Sequence, residues 1–568
     1  MTNTTLYEVP TISSVQDMVL RSARVHGDRL ALEDLKETPI PKLTYGALLK
    51  KILKFGVALQ KLGLKPRNHI AIISENRTQW SLTYLTAMCF DYVVVPVDAK
   101  LPANEVLNII HESESVAIVF SEAFEAVIAE SRSSLKNLKY LISMDAPTSR
   151  GGVYSMPEIV EQSPGCAPDE LPEVDPNEMA EIIFTSGSLG RAKGVMLSQG
   201  NLAANLMAMT RMIRITETDR FLMVLPIHHT YACTCGFLCP LYCGGSIHFA
   251  RSLKTVVEDL QQVHATVLLA VPLLYDKMFK RIHKSIEEKK LLAMLIGPLI
   301  KATDLVAKAG WRSCKRQIFG EIHEKFGGSI RLFIAGGAAP DPMVARGLRE
   351  FGFSFVQGYG LTETSPILTL NRLDNFKDDA AGIPLPGITI TIHEPDQLGI
   401  GEIWARGPSI MLGYYKNPAQ TKEAFEDGWF KTGDLGRMDQ EGFLHISGRK
   451  KNVIISKSGE NVYPEELEDL LNRSPYVLEC MVYGEKDKKL GEIIAAQVVV
   501  DAEAFIEMSE TRKIGITPEL INKVIADEIA IVNGQTAQFK QIRKFYIRDR
   551  EFEKTTTQKV KRFLVHRD

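Results

Sequence analysis

Ile182-Ile-Phe-Thr-Ser-Gly-Ser-Leu-Gly-Arg-Ala-Lys-Gly194 is the stretch from which the rest of this chain is read. An apolar, strand-like run ends in hydroxyls and glycines closed by Lys193. Glycines let backbone N–H groups converge on an anion, and here Gly187 and Gly190 do so. Thr185, Ser186 and Ser188 add donors, and Lys193 adds a positive charge. This is chemistry for phosphate oxygens. The spacing is not that of a Walker A loop, and no Gly-x-Gly-x-x-Gly follows a strand, so a dinucleotide fold is not indicated.

Outward from this loop, the first 150 residues alternate helical and strand patterns. Residues 15–25 and 80–90 read as helices. Residues 45–62 form a longer amphipathic one, with Leu48, Ile52, Phe55, Leu59 and Leu62 on one face. Residues 70–73, 93–97, 116–120 and 140–143 read as strands, and the pattern resumes at 267–274 and 330–335. Such alternation predicts an α/β sheet with helices on its faces. Residues 279–326 are helical and basic: a surface insertion or, on a sharper reading, a membrane-surface or substrate-entry element. After Gly382 the texture changes to short strands with Gly and Pro turns, at 388–393, 401–406 and 442–447. Beyond the polar, Gly-bounded stretch 448–459, a helix (464–472) and strands (480–483, 493–500) predict a separate α+β domain.

Composition bounds the rest. The 568 residues hold 67 Lys and Arg against 69 Asp and Glu, a net charge of −2, which disfavours a globally basic nucleic-acid binder. Eight Cys in this length do not make a disulfide scaffold. The N-terminus shows no secretory signal, so a cytosolic, reduced protein, with membrane contact at most peripheral, is the expectation. Residues 221–250 lack Asp, Glu, Lys and Arg, yet Pro226, Pro240, Gly236, Gly244 and Gly245 break a spanning helix and favour a buried pocket wall. Cys233, Cys235, Cys239 and Cys243 match no standard metal pattern.

Further motifs follow in order: Leu225-Pro-Ile-His-His229, Gly336-Gly-Ala-Ala-Pro340, Gly358-Tyr-Gly-Leu-Thr-Glu-Thr364, Trp429-Phe-Lys-Thr-Gly-Asp434, Gly448-Arg-Lys-Lys451 and a Lys-rich end. With the loop at 185–193, they resemble the signatures of the adenylate-forming superfamily, and most closely those of medium- and long-chain acyl-CoA synthetases. The resemblance spans about residues 15–565. It implies a large α/β N-terminal region over 1–447, made of two α/β subdomains and a small β-barrel-like one. A hinge at 448–454 and a mobile α+β C-terminal domain at 455–568 would follow. In such enzymes ATP and a carboxylate give an acyl-adenylate and pyrophosphate, and a thiol, usually coenzyme A, displaces AMP.

The resemblance carries roles residue by residue. Thr185, Ser186, Gly187, Ser188, Gly190 and Lys193 would hold the β- and γ-phosphates. Tyr359, after Gly358, would stack on adenine, with the backbone of Gly337, Ala338, Ala339 and Pro340 on its other face. Thr362 would contact the α-phosphate, and Glu363 with Thr185 would hold Mg²⁺, a hard cation suited to oxygen ligands. Asp434 would accept from the ribose hydroxyls, assisted by Arg449. Lys559 aligns with the lysine that bridges carboxylate and α-phosphate, with Lys561 and Lys554 as alternatives. Lys451 marks the hinge, and Gly459 would lie near the pantetheine, although a turn glycine reads equally well.

The sequence departs from the pattern at Leu189, Ala192 and Gln558, where Thr, Pro and Gly are usual. Altered phosphate-loop kinetics are expected. No Asp lies in 226–236 to pair an amino acid's ammonium, and no Lys or Arg to hold a second carboxylate. His229, Tyr231, Cys233 and Cys235 would line an apolar pocket for a fatty acyl or aryl chain, with a medium- or long-chain fatty acid expected. Transfer to an acyl carrier protein instead of coenzyme A, or a non-catalytic acyl- or nucleotide-binding role, are the alternatives.

Overall fold

In the computed structural model the alternating pattern folds as two mixed sheets whose central strands are parallel. The structure describes all residues except 1–4, 37, 39, 132–134, 186–192, 309–310, 312–313, 457–458, 488–490, 555–559 and 563–568. One sheet has nine strands. Its parallel centre runs Leu30–Asp34, Ser246–Phe249, Arg220–Met223, Val267–Ala270, Leu332–Ala335 and Ser354–Gly360. Ile367–Leu370 and Lys42–Thr44 flank it antiparallel. The other has eight. There Met179–Thr185 lies parallel to Val93–Pro96, and Lys193–Ser198 returns antiparallel beside it. The central strands are apolar runs buried on both faces, as parallel sheets covered by helices require.

The amphipathic stretch forms the helix Tyr45–Leu62, which buries Leu48, Ile52, Phe55 and Leu59. Thr44 caps its start by accepting from the Ala47 N–H, and Gly63 ends it in the left-handed region at φ +106°. Continuous strand over 267–274 is not what forms. The strand stops at Ala270, and the helix Pro272–Glu287 begins with proline in its first turn, where a missing N–H costs nothing. Residues 221–250 fold as strand, a π-helix at Tyr231–Leu238, a short α-helix at Cys239–Cys243 and strand. Among the described residues no helix is long and apolar enough to cross a membrane.

The chain divides into two compact units. The first comprises Met1–Thr389, Ala405–Phe430 and Glu441–Phe443; the second, Ile390–Trp404, Lys431–Gln440 and Leu444–Asp568. The second has its own core. Val477–Asp487 and Gly491–Val500 pair antiparallel, Lys544–Arg548 adds a parallel strand, and Leu467, Val482, Val498 and Ile525 are buried together.

Candidate active site

The site residues of the first unit gather where parallel strands of the nine-stranded sheet end. Ligands of open α/β sheets bind beyond such carboxyl ends. Leu332–Ala335 runs into Gly336–Pro340, where Gly337, Ala338 and Ala339 are exposed. Gly337 takes φ +85°. Gly336 is required for a different reason: a Cβ there would stand 2.5 Å from the Tyr231 ring. The neighbouring strand, Ser354–Gly360, ends in Gly358, half-buried Tyr359 and Gly360. A side chain at Gly360 would overlap the Pro366 carbonyl, so the backbone of 360–366 closes tightly on itself. Buried Asn205, on the helix Gln199–Met212, holds the far side of this turn. Its amide donates to Ile367 O at 2.8 Å and accepts from Ile367 N–H at 3.3 Å.

Thr362 and Glu363 lie in the single turn that follows. The Tyr414 hydroxyl donates to Glu363 Oε1 at 3.0 Å, and the Glu363 carbonyl accepts from Met411 N–H at 2.8 Å. The Lys193 ammonium stands 5.2 Å from the centre of the Tyr414 ring, within cation–π reach. Lys193 opens the returning strand directly opposite Thr185, and Tyr414 pairs with Val195 on that strand's other edge. One tyrosine thus links the Lys193 end of the phosphate-type loop to the acidic turn after Tyr359. Ser186, Gly187, Ser188 and Gly190 lie outside the described residues.

Behind Gly358 is a cavity of about 40 Å³. Its wall runs from Gly358 and Ala335 past Tyr231, Cys235 and Cys239 to Met209 and Phe221. That is room for about one water, so a chain entering would displace side chains, and Met209 is an adaptable one. The π-helix sets this wall: its wide winding keeps Tyr231 and Cys235 on one side. Cys233 is not on the cavity. It faces Tyr84, whose hydroxyl donates to Glu181 Oε2 at 3.2 Å. Burial pushes the Glu181 carboxyl up to about 8, against the hydrogen bond from Tyr84. His229 is not on the cavity wall either; its ring lies 4.2 Å from that of His228, and His228 Nε2 is 3.3 Å from Asp98 Oδ1. Asp98, His228 and His229 form the one cluster with metal-ligand geometry among the described residues. All eight cysteines are free, and burial pushes the Cys233 and Cys235 thiols up, which disfavours a thiolate site.

The sequence profile described as AMP-binding enzyme matches residues 19–415, and that of the AMP-binding enzyme C-terminal domain matches residues 466–559. This chain belongs to the AMP-binding enzyme family. It is 30% identical to a chloroplastic long-chain-fatty-acid–[acyl-carrier-protein] ligase of Arabidopsis thaliana, over 85% of this chain and 76% of that one. It is 26% identical to a long-chain-fatty-acid–CoA ligase of Mycobacterium tuberculosis, over 97% and 95%. Among solved structures, ATP-bound MatB from Rhodopseudomonas palustris superposes with a TM-score of 0.76 at 25% identity, covering 97% of this chain and 98% of that one. The adenylate-forming superfamily, an α/β N-terminal region and a separate C-terminal domain are thereby established.

The second unit of this AMP-binding enzyme carries the remaining site residues. Asp434 and Arg449 are paired across adjacent strands, with Arg449 Nε 2.7 Å from Asp434 Oδ1. Asp434 is almost wholly buried, its backbone N–H donating to the Thr432 hydroxyl at 3.1 Å. Lys451 is exposed in the short turn Lys450–Asn452. Gly459 takes φ +83° in the turn between Ile454–Ile455 and Asn461–Val462, which by itself accounts for a glycine. Lys559 lies outside the described residues. Of its alternatives, Lys554 is committed to Glu479 at 2.6 Å and Glu551 at 2.8 Å, and pairs with Val560 in an isolated bridge. Tyr414 and Asn205 belong to no motif. Nothing in a two-residue strand, or in a polar residue within a buried helix, marks them before the chain is folded.

Proposed function

We propose that this protein is an ATP-dependent acid–thiol ligase. It would activate a medium- or long-chain carboxylic acid as its acyl-adenylate and pass the acyl group to coenzyme A, releasing AMP and pyrophosphate. The observation that carries this reading is the Lys193–Tyr414–Glu363 link beside Tyr359, with an apolar cavity directly behind Gly358. A cation for phosphate oxygens, a carboxylate fixed by a hydroxyl and an apolar chamber are thus assembled around one strand end. Adenylation demands that combination, because transfer at phosphorus needs charge neutralisation and alignment more than covalent help.

In this reading Thr185 to Lys193 holds the β- and γ-phosphates, and Tyr359 stacks on adenine against the backbone of Gly337 to Pro340. Thr362 contacts the α-phosphate. The oxygen donors of Glu363 and Thr185 suit Mg²⁺, which when bound would neutralise phosphate charge. Asp434 and Arg449 serve the ribose. Lys559 is delivered by the C-terminal domain turning at Lys451, and Tyr231 and Cys235 border the acyl chain. An acyl carrier protein as acceptor is the second reading, supported by the name of the Arabidopsis relative.

The test is pyrophosphate release over a panel of carboxylic acids of graded chain length, with and without coenzyme A or a carrier protein. Acid-dependent release with thioester formation on coenzyme A is expected. Release without coenzyme A turnover but with carrier loading selects the second reading. No acid-dependent release with any acid overturns both.

A further inference from the structure

The helix Lys290–Lys308 is apolar on two sides. Ile296, Leu299 and Ile300 pack on the hydrophobic cluster beneath it, and Thr303 is buried. The opposite side is also apolar. Met294 is 78% exposed, Leu295 52%, Leu305 72% and Val306 37%. Pro298 and Ala302 are exposed between them, and Lys301 is the charge on that face. These positions recur every three to four residues, so they form a stripe along the helix. Just beyond, Trp311 is 56% exposed, and its backbone N–H donates to Val306 O at 3.3 Å, tying it to the helix end.

A surface helix of a globular protein ordinarily presents polar residues outward, and one apolar all round is covered by something. The charge nearby indicates the cover. Residues 277–318 hold eleven Lys and Arg against three Asp and Glu, in a chain whose net charge is −2. Lys277, Lys280, Arg281 and Lys284 are exposed on the preceding helix, Pro272–Glu287, which packs against this one.

We propose that the outer face of Lys290–Lys308 is an interfacial membrane contact for an anionic lipid bilayer. Met294, Leu295, Leu305 and Val306 enter the boundary between headgroups and acyl chains, Trp311 lies at headgroup level, and the surrounding cations meet anionic lipid. A bilayer accepts a row of flexible apolar side chains without a complementary shape, whereas an acidic protein would satisfy the cations and leave that row in water. This inference is independent of the ligase reading.

The experiment is co-sedimentation of the full chain with phosphatidylcholine vesicles, with and without phosphatidylglycerol. Binding to the anionic vesicles is expected, weakened by salt. Met294→Asp combined with Leu305→Asp should reduce it by about tenfold or more, since both positions are removed from the apolar phase. Both sites are exposed, so folding is checked by an unchanged melting temperature. Lipids brominated in the acyl chain should quench tryptophan emission, and Trp311→Phe should remove that quenching. Absence of binding to anionic vesicles, or equal binding by the double variant, overturns the proposal. So does binding of an acidic carrier protein that is lost in the double variant while vesicles do not bind.

Discussion

The strand Ser354–Gly360 ends between two regions of opposite character. On one side, Tyr359 is followed by Thr362 and Glu363. Glu363 is fixed by the Tyr414 hydroxyl and Met411 N–H, and the Asn205 amide holds Ile367 at the far end of the turn. On the other, Gly358 opens on a cavity walled mainly by apolar groups, among them Cys235, Cys239 and Met209, with the Tyr231 hydroxyl donating to Ile334 O at 3.2 Å. A polar site must place charges to within tenths of an ångström. An apolar one need only exclude water and yield to a chain. Substitutions on the first side should therefore act through chemistry, and on the second through substrate choice.

The largest expected effect is on the polar side. Glu363→Gln keeps an acceptor for the Tyr414 hydroxyl and removes the charge. Acid-dependent pyrophosphate exchange should fall by about a hundredfold or more, in the range that losing one electrostatic contact to the transition state costs. The melting temperature should hardly move. Exchange within a few-fold of the parent would remove Glu363 from the site.

A smaller effect is expected behind Gly358. Cys235→Trp should overfill the cavity and cost the longest accepted acid about ten- to a hundredfold in kcat/KM, the activity equivalent of roughly 1–3 kcal/mol of overpacking. The KM for ATP should be unchanged. An equal loss for acetate and for a long-chain acid would mean that the cavity is structural and receives no acyl chain. Smaller again is Tyr414→Phe, which keeps the ring beneath Lys193 and removes the hydroxyl from Glu363. The expected loss is about three- to tenfold, as for a typical hydrogen bond with a net worth of about 1 kcal/mol. Tyr414→Ala should cost more, because it removes the cation–π contact as well.

This contrast also explains what could be read before folding. The strands and helices around the sheets announce themselves by apolar periodicity, and the polar side by motifs whose residues are close in sequence: Tyr359, Thr362 and Glu363 lie within five positions. Tyr414 meets Lys193 across 221 positions, from a strand of two residues that has no period to detect. The cavity wall is scattered among the helix Gln199–Met212, the π-helix, the short helix after it and four strands, and apolar residues in those places read only as core. The π-helix has no sequence signature, and its winding separates Cys233 from Cys235, near neighbours in sequence, so that only Cys235 lines the cavity. At Pro272 the residue type marks the boundary, although the apolar Val271-Pro-Leu-Leu274 run around it continues the strand's apolar pattern.

Glu181 is connected to both regions, and it allows their independence to be measured. It sits on the strand leading to Thr185 and contacts Tyr84, which reaches Cys233 of the π-helix. Burial raises its pKa from 4.5 to about 8, so the folded state holds this carboxyl as the acid more tightly than the unfolded chain does. The sign follows from linkage. A carboxyl raised on folding contributes its full stability below the unfolded value of 4.5, and that contribution is lost as pH rises through about 8. Glu181→Gln retains a neutral side chain and does not ionise. Its melting temperature relative to the parent should therefore climb between pH 4.5 and about 8 and level off above. If the phosphate side and the apolar wall are mechanically independent, chain-length preference should stay fixed over that window in both proteins. A preference that shifts with pH in the parent and not in Glu181→Gln would show that ionisation of one buried carboxyl moves the π-helix wall. A flat difference in melting temperature would mean that the carboxyl is not held as the acid at all.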